Sequence, residues 1–239
     1  MTNERTTGAY AGYRDAEAAA EQRRFMVRVY NWMTAGLALT AAVAGIVASD
    51  EALLQLIFGN TLIVIGLVIA QLGLVFWLAA RVHQMSAMTA TSVFMGYSAL
   101  TGLTFASIFV VYPIATVGSA FVVTAGAFGA MSVYGYTTQR DLTSWGSFLF
   151  MGLIGIVLAS LVNLWMASPA VQWVVTYAGV LIFTGLTAYD TQKIKQMNIL
   201  GNEGTEEDTK EAISGALALY LDFINLFLMI LRVMGGNRD

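Results

Sequence analysis

Two aspartates stand inside hydrophobic, helix-forming stretches: Asp190 in TGLTAYDTQKIK and Asp222 in ALALYLDFINLFLMILRVMGG. On insertion scales a carboxylate at the centre of a membrane helix costs about 2.5–3.5 kcal/mol. Residues kept at that cost face a bundle interior or a watery cavity and mark ion or proton paths. Asp222 lies about ten residues into its stretch, roughly 15 Å deep at 1.5 Å per residue. No Lys or Arg sits three or four residues from it, so its partner comes from another helix or it holds a proton. It shares a helical face with Gly215, Ala218, Asn225 and Met229, which is small and polar where the other faces carry Leu and Phe. The alternative is a structural hydrogen bond from a protonated Asp222 to a neighbouring helix. Asp190 has Lys193 three residues on, which offers an ion pair at the membrane edge. Its stretch precedes that of Asp222 and runs antiparallel to it, so the two side chains can meet. Asp190 reads as the shallower of the two, unless the sixth helix is extended or the seventh starts early.

The pair would have specific chemistry. Two carboxylates a few ångströms apart in a poorly hydrated site cannot both ionise cheaply, so they share a proton. Protonated, the pair is a hydrogen-bonded latch between helices. Deprotonated, it repels itself or recruits a cation. Ca²⁺ takes six to eight oxygen ligands. Two carboxylates with waters and carbonyls hold it weakly and transiently, which suits permeation better than storage. Asn225 and Thr187 are candidate pore-lining residues, and no bound cofactor is expected. Arg81, after WLAA, either reaches inward as a latch for the aspartates or snorkels to lipid phosphates. Gln71 and Asn163 read as interhelical glue, and His83 as a solvated turn residue.

The elements around these residues are those of a polytopic all-α membrane protein. Of the 239 residues, 57% are hydrophobic and 11% charged, against about 25% charged in an ordinary soluble domain. The net charge of −3 gives no reason to expect nucleic acid, and the lipid bilayer is the expected surrounding. With no Cys, disulfides and thiol chemistry are excluded. A spanning helix needs about 20 largely apolar residues. Seven stretches qualify, near Trp32–Ala48, Leu62–Ala80, Ala87–Val111, Ile114–Tyr136, Trp145–Met166, Val171–Tyr189 and Ala212–Leu231. A start of the second at Leu53 would make it long and tilted. The polar segment before Phe25 has no apolar core, so Met1–Arg24 reads as a disordered tail rather than a signal peptide. Residues 25–236 then form the transmembrane domain.

Lys and Arg set the orientation. Arg5, Arg14, Arg23, Arg24, Arg28, Arg81, Arg140, Lys193, Lys195 and Lys210 fall on one side of a seven-span chain, and Arg232 and Arg238 on the other. That asymmetry predicts a cytoplasmic N-terminus and an outside C-terminus. Glu203, Glu206, Glu207, Asp208 and Glu211 resemble the acidic first turn of a helix, with Thr205 as N-cap ahead of Asp208. The seventh helix is thus expected to start near Glu206, before the membrane, with these acids as a solvated end.

AYDTQKIK at Ala188–Lys195 and ALYLDFINLFLMILRVMGG at Ala218–Gly236 resemble the last two helices of the transmembrane Bax-inhibitor-motif family, in its bacterial branch. SALTGLTFASIFVVY at Ser98–Tyr112 is similar to its third helix, and YGYTTQRDLTSWGSFLFMGLIGIVLASLVNLW at Tyr134–Trp165 to its fourth-to-fifth region. The resemblance covers Phe25 to Gly236. It implies seven helices, with the last at the centre of two three-helix layers. It also implies a di-aspartyl pH sensor, which by motif falls on Asp190 and Asp222, and a pH-sensitive Ca²⁺ leak. A second-helix arginine pairs with the dyad in that family, and Arg81 is the match here.

The expected function is a passive cation leak in a bacterial inner membrane, with Ca²⁺ as permeant ion, and not an enzyme. Modulation of membrane proteolysis or of a stress or cell-death response, through contact with a membrane protease, is the alternative. A proton-coupled cation exchanger is a third. An intramembrane aspartyl protease needs an activated water at a hydrated dyad, and the usual motifs of such proteases are absent.

Overall fold

The structure, a computed structural model, describes residues 2–236, with side chains from residue 16 onward. Eight α-helices follow in order among the described residues: α1 (Thr2–Ala48), α2 (Glu51–Phe58), α3 (Thr61–Arg81), α4 (Ala87–Val111), α5 (Ile114–Thr137), α6 (Thr143–Met166), α7 (Pro169–Met197) and α8 (Glu206–Gly235). Seven of them are long and apolar enough to cross a membrane. The exception is α2, and it corrects one expectation. The second span does not begin at Leu53, because the chain breaks at Gly59 and Asn60. Gly59 closes α2 with an N–H bond to the Gln55 carbonyl, and the Asn60 side chain caps α3 by accepting from Leu62 N–H. Three further helix starts are capped by similar local chemistry, whereas α5 and α6 begin without a side-chain cap. Ser86 caps α4, Ser168 caps α7 with Pro169 in its first turn, and Thr205 caps α8.

At its N-terminal end α1 is helical from Thr2, through the segment whose composition reads as a tail. Within it, Glu21 and Arg24 bond to the α7–α8 connection and Gln22 to the end of α7. At the other end of the chain, α7 continues to Met197, well past the apolar stretch that ends at Tyr189. Polar residues at both helix ends are thus used for packing that hydropathy does not register.

Helices α1, α3 and α4 pack into one layer and α5, α6 and α7 into the other, and α8 lies between them. The partition follows from where apolar side chains are buried. On α8, Leu219, Tyr220, Leu226 and Leu231 are almost fully buried, whereas on α6 Gly146 alone is buried. The outer faces of α3 and α6 carry exposed Leu, Ile, Val, Phe and Trp, as lipid-facing helices must. One polar cluster pins α8 to the first layer. The Thr40 hydroxyl donates to the Ser98 carbonyl at 2.8 Å and lies 2.7 Å from the Tyr220 hydroxyl. Phe94 and Tyr97 meet the Tyr220 ring edge-on, with centroids at 5.8 Å.

Candidate functional site

The site is built on the antiparallel pair α7–α8. Seven residues of α7 follow Asp190, and Asp222 is sixteen residues into α8 from Glu206. The early start of α8 and the extended end of α7 together resolve the apparent mismatch in depth: α8 simply begins farther out. The Asp190 and Asp222 carboxyls lie within hydrogen-bonding reach of each other. Asp222 is buried, at 5% exposure, and its Oδ2 has no protein partner. Asp190 is half-buried.

Close backbone approach holds α7 in place. A Cβ on Gly135 of α5 would clash with the Ala188 carbonyl oxygen, so only glycine lets α5 come this near. Gly146 of α6 gives the same room to the Tyr189 ring. The rest of the AYDTQKIK segment fastens neighbours. Gln192 donates to the Arg140 carbonyl and accepts from Leu142 N–H, which pins the α5–α6 connection. Lys195 donates to the Tyr136 carbonyl at 2.9 Å. Thr191 and Tyr30 of α1 pair through their hydroxyls at 3.3 Å.

Between α6 and α8, with α7 as floor, lies a cleft of about 860 Å³ that both aspartates line. Its walls are largely apolar, with Phe150, Val157, Leu161, Phe183, Leu221 and Met229 among them. The serine hydroxyls on the α6 wall do not serve it: Ser147 donates to Thr143 and Ser160 to Ile156, within their own helix. What remains polar is the two carboxyls, Asn225, Lys193 and the Tyr189 hydroxyl. Asn225 donates its amide to the Leu221 carbonyl at 2.8 Å, which leaves the amide oxygen for the cleft. Among the described residues no cluster of three or more His, Cys, Asp or Glu could hold a metal. Two carboxylates and an amide fall short of the six to eight oxygens of a closed Ca²⁺ site, so a cation here would keep much of its water.

Other candidates stand elsewhere. Thr187 is fully buried, its hydroxyl donates to the Phe183 carbonyl one turn back, and it is not among the residues that line the cleft. Arg81 is exposed at the end of α3 and donates to Gln84 across the following short turn, not to the aspartates. Gln71 bonds Thr104 of α4 and is interhelical, as its type predicts. Asn163 is not: its Oδ1 accepts from Ser168 N–H and closes the α6–α7 turn. Lys193 was legible from sequence only as an edge ion pair with Asp190. It lines the cleft instead, with Nζ 5.9 Å from the Tyr189 ring centroid, and makes no ion pair among the described residues.

The acidic end of α8 is solvated only in part: Glu203, Glu206 and Glu207 are exposed, as expected, but the acids that follow are not. Asp208 is 1% exposed, and Lys210 and Glu211 are also buried. Arg28 of α1 donates to Asp208 at 2.8 Å, and Lys210 donates to the His83 carbonyl and to Glu207. Glu206 accepts from Ala87 N–H at the start of α4. The signal in the sequence was Arg24 and Arg28, one turn apart on α1, which count equally well toward membrane orientation.

Comparison with known proteins agrees with this architecture. Residues 22–239 match the family model described as inhibitor of apoptosis-promoting Bax1. The inner membrane protein YbhL of Escherichia coli K12 is 58% identical over 215 residues, which cover 90% of this chain and 92% of that protein. A protein of Deinococcus radiodurans is 46% identical over 217 residues, covering 91% of this chain and 92% of its own. One from Borreliella burgdorferi is 42% identical over 218 residues, with 91% and 94% covered.

Proposed function

The chain belongs to the Bax1-inhibitor family, and on that premise we propose that it is a pH-sensitive passive cation leak, gated by the Asp190–Asp222 pair, with Ca²⁺ as permeant ion. The membrane is the bacterial inner membrane, with the N-terminus in the cytoplasm. One observation carries the reading: two carboxyls from adjacent helices lie within hydrogen-bonding reach at a cleft, and one oxygen of Asp222 has no protein partner.

A proton shared between the two carboxyls holds α7 to α8. Loss of that proton leaves like charges in contact, and either the helices part or a cation enters to neutralise them. A hydrated Ca²⁺ meets the carboxylates and the Asn225 oxygen and exchanges ligands with water, because the site cannot complete its coordination. Lys193 is the one cationic side chain on the cleft wall. It opposes cation entry, so the leak stays small until the dyad is fully ionised. The gate proposed here assigns no step to Arg81, which bonds Gln84.

The test is Ca²⁺ flux against pH in liposomes for the wild type, Asp190→Asn and Asp222→Asn. The expected outcome is a flux that depends on pH in the wild type and loses that dependence in both variants. A pH response unchanged in both variants refutes the gate. Absence of wild-type flux, with altered turnover of membrane-protease substrates in cells, would favour modulation of proteolysis instead. Obligate exchange of Ca²⁺ for protons at fixed stoichiometry would favour an exchanger.

A further inference from the structure

The two helices of the dyad are each fastened to a third body. The loop between them, residues 198–205, has little apolar anchorage, for Ile199 and Leu200 are exposed. It turns at Gly201 and Gly204, whose φ of +88° and +79° suit glycine. Its position is set by polar contacts to the N-terminal part of α1. Glu21 accepts from Gly201 N–H at 2.7 Å, and Gln22 donates to the Lys195 carbonyl at the end of α7. Arg24 grips Glu203 through two nitrogens, at 2.8 Å each. Arg28 bonds Glu203 at 3.1 Å and Asp208 of α8 at 2.8 Å. Asp208 completes the arrangement: its other oxygen accepts from Gly204 N–H, while its own N–H donates to the capping Thr205.

We propose that this end of α1 is an ionic splint, in which Arg28, assisted by Arg24, positions α7 against α8 so that Asp190 and Asp222 meet. Asp208 and Asp222 lie on one unbroken helix, fourteen residues and about 21 Å apart. A shift at the start of α8 therefore moves Asp222 with it. The α7 partner is held through Gln22 to the same helix α1, so relative sliding of α7 and α8 requires one of these bonds to break. Asp208 is buried with Arg28 as its one ion-pair partner among the described residues. Its loss leaves an uncompensated buried carboxylate, which drives α8 outward toward water. The role of Arg28 is positional, because it lines no part of the cleft. The proposal rests on the dyad reading for its effect on flux, but its geometry stands without it.

The experiment uses full-length protein in liposomes. With no native Cys to interfere, spin labels at Arg23→Cys and Leu200→Cys, both exposed, report the distance between α1 and the loop. Ca²⁺ flux is followed against pH in unlabelled protein. Arg28→Glu is expected to broaden the distance distribution and to move the pH of half-maximal flux by about one unit, the scale of a changed carboxyl–carboxyl contact. The charge-swapped pair Arg28→Glu with Asp208→Arg is expected to recover part of both, because the bonds to Glu203 and from Gly204 N–H stay lost. A wild-type distribution and wild-type pH midpoint in Arg28→Glu overturn the splint while leaving the leak intact. If the wild type carries no flux, the leak reading fails, and the distances alone judge the splint: broadening with rescue upholds it, and no broadening overturns it. Should Arg28→Glu fail to reach the membrane, Arg24→Gln with Glu203→Gln at the exposed end gives the same two measurements, with smaller changes in the same direction expected and no change overturning the proposal.

Discussion

Glu203 lies outside the membrane-spanning part of the chain, a third exposed, with two guanidiniums on one carboxylate. The Arg24 hydrogen bond, then that of Arg28, holds its pKa down to about 2, from an ordinary value of 4.5. The unfolded chain therefore binds a proton before the folded one does. The pairing stabilises the fold fully above pH 4.5 and loses that effect as the pH falls toward about 2. The difference in thermal midpoint between wild type and Glu203→Gln should be widest near neutral pH and shrink through that window. A difference that stays constant with pH would mean that the pairing does not stabilise the folded state. The legibility of single residues followed the same physics. Asp222 stands out in the sequence because a membrane carboxylate without a local countercharge is costly. Arg28 does not stand out, because its partner Asp208 is 180 residues away and a basic residue near a span already has an explanation. Thr187 has the type of a pore residue, but a threonine in a helix readily turns its hydroxyl to its own backbone.

At the scale of elements, α7 does more than carry Asp190. Its last turns fix the α5–α6 connection through Gln192, which satisfies Leu142 N–H and the Arg140 carbonyl with one side chain. Gln192→Leu leaves both without that partner. Each such group, if buried, costs about 1–3 kcal/mol, and the connection is expected to loosen. Trypsin should then cut after Arg140 in the variant far faster than in the wild type, and the melting temperature should fall by several degrees. Equal cleavage rates would show that other contacts hold this turn. Helix existence was legible here from apolar length alone, and α4 has the same limits in sequence and structure. The failures sit where polar residues continue a helix: the end of α7 past Tyr189 and the N-terminal part of α1. Hydropathy ends there, but the backbone does not, because neighbouring helices supply hydrogen bonds that a single-chain window does not see. The α2–α3 break was missed for the opposite reason, since two residues, Gly59 and Asn60, interrupt a long apolar run.

At the scale of the whole molecule, the described residues hold seven candidate spans, an odd number that predicts ends on opposite sides of a membrane. Ten basic residues predict which side is which. Single cysteines at Glu17 and at Gly236, probed in intact cells with a membrane-impermeant maleimide, should label only at Gly236. Labelling at Glu17 alone would reverse the orientation. The central place of α8 also bears on how the molecule is made. Arg28 and Asp208 are 180 residues apart, and at about 5–20 residues per second the ribosome takes roughly 10–40 s to travel between them. Through that time Arg28 lacks its Asp208 partner, and the helices of both layers lack the α8 surface they pack against in the finished fold. The keystone is thus the last of the seven described spans to be synthesised. A chain that stalls before it lacks both the buried face of α8 and the carboxylate that pairs with Arg28.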